Sequence, residues 1–441
     1  MMALSFATLH QAFGSRWLGR TESKSSAAAH PTVPAAQPSR PRRIVLYSHD
    51  TQGLGHMRRN LMIAKALLKC EPQPAILMIG GAREMGKLVF PPGIDCLTLP
   101  ALGKRSDGEY HPRWLPVSLR RLIAVRTSTI RSAIEAFEPD VLIVDKVPLG
   151  AFNELEPSLK WLRQRDGARC ILGLREVLDD PHTAQREWQQ SNSDSAVRTY
   201  YDAIWVYGDQ KVYDPVLEYG FGPHIASKLV YTGYLDRSVG TDEYERDAAH
   251  LLDPLAIPAA KRMALCCVGG GQDGYALAAA FAQAELPADM VGVIVTGPFM
   301  STEAQQRLAR LAAGSTRLHV LNFVEETAPL LRRADMVICM GGYNTVCEVL
   351  AFEKRVLIVP RVKPRREQLI RAERLWKLGL VDMLHPQQLT PHALTSWLAR
   401  PASGHVNIRE RIDLNALARL PDLLDTLCAQ APRPMEVRYA A

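Results

Sequence analysis

From Ile44 to about residue 235 the chain repeats one unit: a short apolar run rich in β-branched residues, a turn, and a helical pattern. RRIVLYSH opens the series and is followed by DTQGLGH and MRRNLMIAKALLK; PAILMIGG, PDVLIVDKVPLG, ARCILGLREV and YDAIWVYGD continue it. Runs this short and this uniformly apolar predict strands buried on both faces, the environment of a parallel sheet with helices above and below. A second series starts at RMALCCVGGGQDG and runs through MVGVIVTGP, RLHVLNFVE, ADMVICMGG, RVLIVPRV and GLVDMLHP. Between them, YLDRSVGTDEYERDAAHLLDPLAIPAAK is charged and broken by prolines, as a linker would be. The pattern predicts two successive α/β, Rossmann-like domains over 44–235 and 261–405, joined by a linker over 236–260. Segment 406–441 predicts a closing helix interrupted at Pro421, because proline lacks the helical N–H donor.

Composition narrows the function classes. A chain of 441 residues with 47% apolar and 22% charged residues is ordinary for a globular protein with two cores. No apolar run reaches the roughly eighteen residues of a membrane span, though a peripheral contact needs only a surface patch. The net charge of +7 is concentrated in residues 1–43, where Arg16, Arg20, Lys24, Arg40, Arg42 and Arg43 face Glu22 alone. The remainder is too evenly charged for a nucleic-acid-binding fold. Those 43 residues are rich in Ser, Ala and Pro and predict a disordered tail. Its opening, MALSFATLHQAFGSRWLGR, leaves a plain tail, a start-site artefact, a weak amphipathic membrane contact and a targeting segment all open. The eight cysteines form no C-x-x-C pair or zinc-type cluster and predict buried, reduced thiols in a cytoplasmic protein.

Ligands of an open parallel sheet bind beyond the carboxyl ends of its strands, so the strand-to-helix loops carry the functional candidates. Gly53 and Gly55 let the backbone approach a ligand closely, and His56 follows at the helix start as a proton acceptor, a phosphate donor or a turn cap. Arg58 occupies the third glycine position of a dinucleotide fingerprint, which weakens that reading. The loop from Gly269 to Gly274, with Gly270, Gly271 and Gln272, suits a phosphate or sugar nest or a tight turn. Gly341 and Gly342 open the start of a helix to a diphosphate, Asn344 or Thr345 can cap it, and Glu348 can accept both hydroxyls of a ribose or close a capping box. Arg365, Glu367 and Gln368 follow the strand VLIV as charge-neutralising and sugar-binding candidates, or as a solvated basic loop.

Gly341-Gly342-x-x-Thr345-x-x-Glu348, a strand ending at Pro360, and Glu367-Gln368 resemble the donor signature of GT-B glycosyltransferases. Within that fold they resemble family 28, the group of the bacterial N-acetylglucosaminyltransferase that makes lipid II. The resemblance covers roughly residues 262–400 and thins to Gly53-x-Gly55-His56 in the N-terminal half. It implies two Rossmann-like domains facing across a cleft. Glu348 would hold the ribose; Gly341, Gly342 and Thr345, with the Gly269–Gly274 loop, would cradle the diphosphate. Phe323 would mark the base-recognising wall, Gln368 would touch the sugar, and His56 would face the reacting centre from the other domain. Glu367 stands where the family has glutamine, Arg365 and Arg366 make the loop more basic, and no apolar membrane-docking patch is evident in the N-terminal domain.

The expected reaction moves a hexose-type sugar from an NDP-sugar, taken as a UDP-sugar, to an acceptor hydroxyl, with inversion and without a metal or other cofactor. His56, Asp145 and Glu176 are the candidate bases; Asp145 could instead cap a helix and Glu176 could pair with Arg175. The acidic pair Asp179-Asp180 precedes Pro181 and reads as a loop rather than a metal site. The partners implied are the nucleotide-sugar donor and a glycan, lipid-linked or small-molecule acceptor in polysaccharide biosynthesis, with possible peripheral contact at the inner membrane. A nucleotide-sugar 2-epimerase of the same fold and a non-catalytic nucleotide-sugar-binding partner subunit are the alternatives.

Overall fold

The structure, a computed structural model, describes residues 40–49, 55–83, 85, 88–104, 109–238, 251–324, 326–401 and 407–431. Most of the expected N-terminal tail, Gly53, residues 239–250 of the expected linker and the last ten residues lie outside that set.

Two parallel sheets carry the fold. The first holds β1 (Arg43–Ser48), β2 (Ala75–Gly80), β3 (Ile94–Thr98), β6 (Val141–Asp145), β7 (Arg169–Arg175), β8 (Ala203–Tyr207) and β9 (Leu229–Tyr231), in the order β3-β2-β1-β6-β7-β8-β9. A separate antiparallel pair, β4 (Leu102–Lys104) and β5 (Tyr110–Pro112), stands beside it. The second sheet holds β10 (Arg262–Cys267), β11 (Met290–Val295), β12 (Leu318–Leu321), β13 (Met336–Cys339), β14 (Arg355–Ile358) and β15 (Asp382–Met383), in the order β12-β11-β10-β13-β14-β15. Every residue of β6, β8 and β11 is buried, which accounts for their unbroken apolar sequences. The edge strand β3, with no fully apolar run, the three-residue edge strand β9 and the β4–β5 pair escape the sequence pattern. Both sheets reverse direction of build-up beside their first strand, at β1|β6 and at β10|β13, and it is there that a crevice opens between neighbouring loops.

The C-terminal helix corrects one expectation. Ala416–Ala429 is continuous through Pro421 instead of broken there. Ala416, Leu420, Leu424 and Leu427 form a buried stripe that joins Ile44, Ile63 and Leu67 in one core cluster, and the helix packs against the Gly55–Leu67 helix. Arg169 Nε donates to the Leu427 carbonyl at 3.2 Å. Burial of that stripe outweighs the hydrogen bond that Pro421 cannot make. All eight cysteines are free, six of them buried, as expected. Among the described residues no helix is long and apolar enough to cross a membrane.

Candidate active site

A cavity of about 280 Å³ lies between the strand-end loops of the two sheets. Gly55, His56, Arg59 and Arg175 line it from the first sheet; Gly269, Gly270, Phe323, Gly342, Asn344, Thr345 and Glu348 line it from the second. The two glycine loops and the Tyr343–Ala351 helix thus converge with His56, although more than two hundred residues separate them from it in the chain.

His56 sits in the first turn of the Gly55–Leu67 helix, one-fifth exposed, with Nδ1 2.6 Å from Asp145 Oδ2 at the end of β6. Arg59, one turn on, donates to both Asp145 oxygens at 2.6 Å and approaches His56 Nδ1 at 2.9 Å. One nitrogen cannot serve both neighbours: an imidazole N–H directed at the carboxylate is the arrangement of opposite charge, and it leaves the Nε2 lone pair for a substrate. Despite complete burial, Arg59 and His56 hold the Asp145 carboxyl well below the usual range, so it stays ionised. Asp145 therefore orients His56 and is itself a poor proton acceptor.

Glu176 has a different setting from a base. Its side chain is fully buried, accepts from Arg371 Nε at 2.5 Å and from Tyr234 Oη at 3.2 Å, and pairs with the second half of the chain instead of with Arg175. It is absent from the residues lining the cavity. Its carboxylate is committed to holding the two halves together.

On the opposite wall Gly341 has φ +83°, and a Cβ there would lie 2.8 Å from Ile358 Cγ2, so the turn into the helix requires glycine. Gly342 is the N-cap and contributes no side-chain bond. The expected caps are elsewhere: Asn344 Nδ2 reaches across the cleft to the Gly55 carbonyl at 3.0 Å. The first-turn N–H groups therefore face the cavity without a side-chain competitor or an acidic residue, a setting favourable to an anion. Gly271, φ +91°, would place a Cβ 2.2 Å from the Thr296 carbonyl, which locks the second glycine loop against the end of β11. Gly271, Gln272 and Gly341 are not among the residues that line the cavity.

Glu348 lines the cavity and accepts from Thr327 Oγ1 at 3.0 Å and from Arg237. Arg237 also binds Glu326 at 3.0 Å, so a guanidinium occupies the carboxylate expected to hold a ribose. Phe323 is half exposed at the rim. The Arg365 loop departs from expectation. Arg365 is bound to Glu187 at 2.6 Å and to Asp179 at 3.0 Å, both from the first half, which leaves its charge neutralised outside the cavity. Glu367 is buried against Arg361 at 2.8 Å, and Gln368 Oε1 accepts from the Arg361 N–H at 3.1 Å. Both stand behind the cavity wall. Asp180, read as part of a loop, caps the Pro181–Gln190 helix through Thr183 N–H. Among the described residues no group of three or more acidic, His or Cys side chains could hold a metal.

Sequence reasoning missed Arg59, Arg175, Arg237, Thr327 and Tyr343. Tyr343 stacks on Tyr234, donates to the Tyr207 carbonyl at 2.9 Å and has the guanidiniums of Arg59 and Arg371 5.6 and 5.5 Å from its ring centroid. Arg59 had a usable signal, its i+3 spacing from His56 on one helix face. Trp114, Leu115, Val117 and Val125 are exposed apolar side chains among the exposed Arg113, Arg120 and Arg121. None forms a periodic apolar run in sequence.

Two doubly wound halves closing on a glycine-lined cavity make up a GT-B fold. Residues 265–427 match the glycosyltransferase family 28 C-terminal domain. An uncharacterized glycosyltransferase of Methanosarcina acetivorans is 23% identical over 328 residues, 70% of this chain and 77% of the relative. The UDP-N-acetylglucosamine--N-acetylmuramyl-(pentapeptide) pyrophosphoryl-undecaprenol N-acetylglucosamine transferase of Trichlorobacter lovleyi is 31% identical over 136 residues, 30% of this chain and 36% of that enzyme. In fold, the chain is similar to the calicheamicin glycosyltransferase CalG4 (TM-score 0.58, 16% identity, 88% of this chain and 98% of that one). It is equally similar to a UDP-GlcNAc 2-epimerase from Neisseria meningitidis bound to UDP-GlcNAc (TM-score 0.58, 11% identity, 87% and 99%). Residues 265–427 are thus similar to the family 28 C-terminal domain, and the comparisons together support a glycosyltransferase of GT-B fold.

Proposed function

We propose that the protein transfers a hexose-type sugar from a UDP-sugar to an acceptor hydroxyl, with inversion at the anomeric carbon and without a metal. The observation that carries this reading is the His56–Asp145 pair facing, across one cavity, the glycine-capped helix that bears Glu348. The acceptor oxygen attacks the anomeric carbon while its proton passes to His56 Nε2. The bond from that carbon to the diphosphate breaks, and the nucleoside diphosphate leaves with the electron pair. Charge growing on the diphosphate is met by the N–H groups at the start of the Tyr343–Ala351 helix and by the Gly269–Gly270 backbone. Glu348 binds the ribose hydroxyls once Arg237 has turned away.

A 2-epimerase shares the fold, but among the described lining residues Glu348 is the sole carboxylate, and it lies on the nucleoside side of this reading. The exposed Trp114 region, with its arginines, suits peripheral contact with an anionic lipid surface and so a lipid-linked acceptor. A thermal-shift panel of UDP, GDP, ADP and dTDP, followed by UDP release from sugar donors, tests the reading. Stabilisation by UDP with donor turnover supports it; a panel without any responder overturns it.

A further inference from the structure

Three neighbouring strands of the first sheet, β1, β6 and β7, end at one point, and each brings a basic residue there: His49, Lys146 and Arg175. Lys146 follows Asp145 directly, and its backbone is held in the left-handed region, φ +69°, with its N–H bonded to the Gly173 carbonyl at 2.8 Å. Arg175 closes β7, the next strand, and lines the cavity.

The cations around them are all matched. Arg59 is bound to Asp145, Arg371 to Glu176, Arg365 to Asp179 and Glu187, and Arg237 to Glu348 and Glu326. Lys146 and Arg175 are only partly exposed, yet neither side chain has an ion-pair partner among the described residues, and Arg175 Nε is buried without a hydrogen bond. Burial, with the cations Arg175 and Arg365 nearby, pushes Lys146 down to about 7; burial, with Arg59 and Arg371, likewise lowers Arg175. The nearest acids acting on Arg175 are already engaged: Glu367 by Arg361, and Asp145 by Arg59 and His56. Two uncompensated cations beside an orienting His–Asp pair are costly for folding alone and are relieved by a bound anion.

We propose that Arg175, with Lys146 behind it at the end of the adjoining strand, forms an oxyanion site on the first-sheet wall of the cleft, receiving a carboxylate or phosphate carried by the acceptor or by the transferred sugar. Arg175 enters the cavity from the first sheet, facing the glycine loops of the second that take the donor diphosphate, and the site rests on the glycosyl-transfer reading for its biological ligand. It narrows the substrates to those with an acidic group near the reacting hydroxyl or on the sugar itself. Arg175 can grip such a group with two parallel N–H donors, and Lys146 supplies a compact charge that becomes fully protonated when the anion binds.

The test titrates inorganic phosphate into the full chain, free and saturated with UDP, alongside Arg175→Gln and Lys146→Met. The expected result is saturable phosphate binding that persists with UDP bound and weakens about ten- to hundredfold in each variant, while the UDP affinity of Lys146→Met, which lies outside the cavity lining, stays within about twofold. Displacement of that phosphate by UDP-glucuronate but not by UDP-glucose assigns the anion to the donor sugar; persistence with both assigns it to the acceptor. Loss of phosphate binding when UDP is added, or equal binding by the variants, overturns the proposal. If the unsubstituted chain fails to bind UDP, the nucleotide reading falls, while the phosphate titrations of the UDP-free proteins still read the site. Unchanged or raised melting temperatures in both variants exclude misfolding as the cause.

Discussion

Arg371 Nε donates to Glu176 Oε1 at 2.5 Å, with both side chains wholly buried, and this pair links the Glu367–Lys377 helix of the second half to the end of β7 in the first. Arg371 also donates to the Gly341 carbonyl at 3.2 Å, so the joint reaches the donor-side turn. Glu176→Ala leaves a buried guanidinium unpaired and is expected to destabilise the protein by about 3–5 kcal/mol in urea titrations. A loss below about 1 kcal/mol would show that the two halves are held elsewhere.

His56→Ala is expected to lower sugar-transfer turnover about 10²–10⁴-fold with little change in UDP affinity, as measured by steady-state rates and calorimetry. Asp145→Asn keeps the geometry but removes the charge that fixes the His56 N–H, and its loss of rate falls in the same direction. A His56→Ala enzyme with unchanged turnover assigns the proton to another group.

Glu348→Ala and Arg237→Ala have opposite expected effects on UDP. The first removes the ribose acceptor and weakens binding about tenfold or more. The second removes the guanidinium that competes for Glu348 and tightens binding. Calorimetric titration of both variants reads the sign directly, and weaker UDP binding by Arg237→Ala would make that arginine a ligand in its own right.

How much of this site was legible in the sequence follows from what kind of neighbour each residue has. Gly342, Thr345 and Glu348 could be placed at the cavity because strand end, glycine turn and helix start are contiguous in the chain. β6 and β11 were readable because burial on both faces leaves an apolar run. Arg175, Arg237 and Thr327 were not, because what makes them part of the cavity is a partner a hundred residues away or a shared wall. Arg365 and Gln368 were placed on the right loop, but their partners Asp179, Glu187 and Arg361 N–H turn them from the cavity. Nothing local to RVKPRREQ announces that.

Acid stability depends on His49. Burial, with His56 and Lys146 close by, lowers it to about 3. An unfolded chain protonates this ring as pH falls through about 6.5, whereas the folded chain does not until about 3, so the stability it contributes is complete above about 6.5 and drains away toward 3. His49→Gln is expected to flatten the pH dependence of the melting temperature in that window. An unchanged slope would place the acid sensitivity in other groups.

Trp114 and its exposed apolar neighbours give a prediction for lipid contact. Co-sedimentation with vesicles containing anionic phospholipid is expected for the full chain and reduced severalfold for Trp114→Ala combined with Leu115→Ser, without loss of UDP binding. Equal sedimentation of the variant would remove this surface from any membrane role.

The Ala416–Ala429 helix, lying on the Gly55–Leu67 helix, has a consequence for how the protein is made. The apolar flank formed by Ile63 and Leu67 belongs to a half encoded at the beginning, yet its cover is encoded near residue 420. During synthesis the first half therefore leaves the ribosome with that flank bare and waits for some 170 further residues beyond the start of β10 before it is sealed. The His56 side of the cleft is consequently finished late in biogenesis.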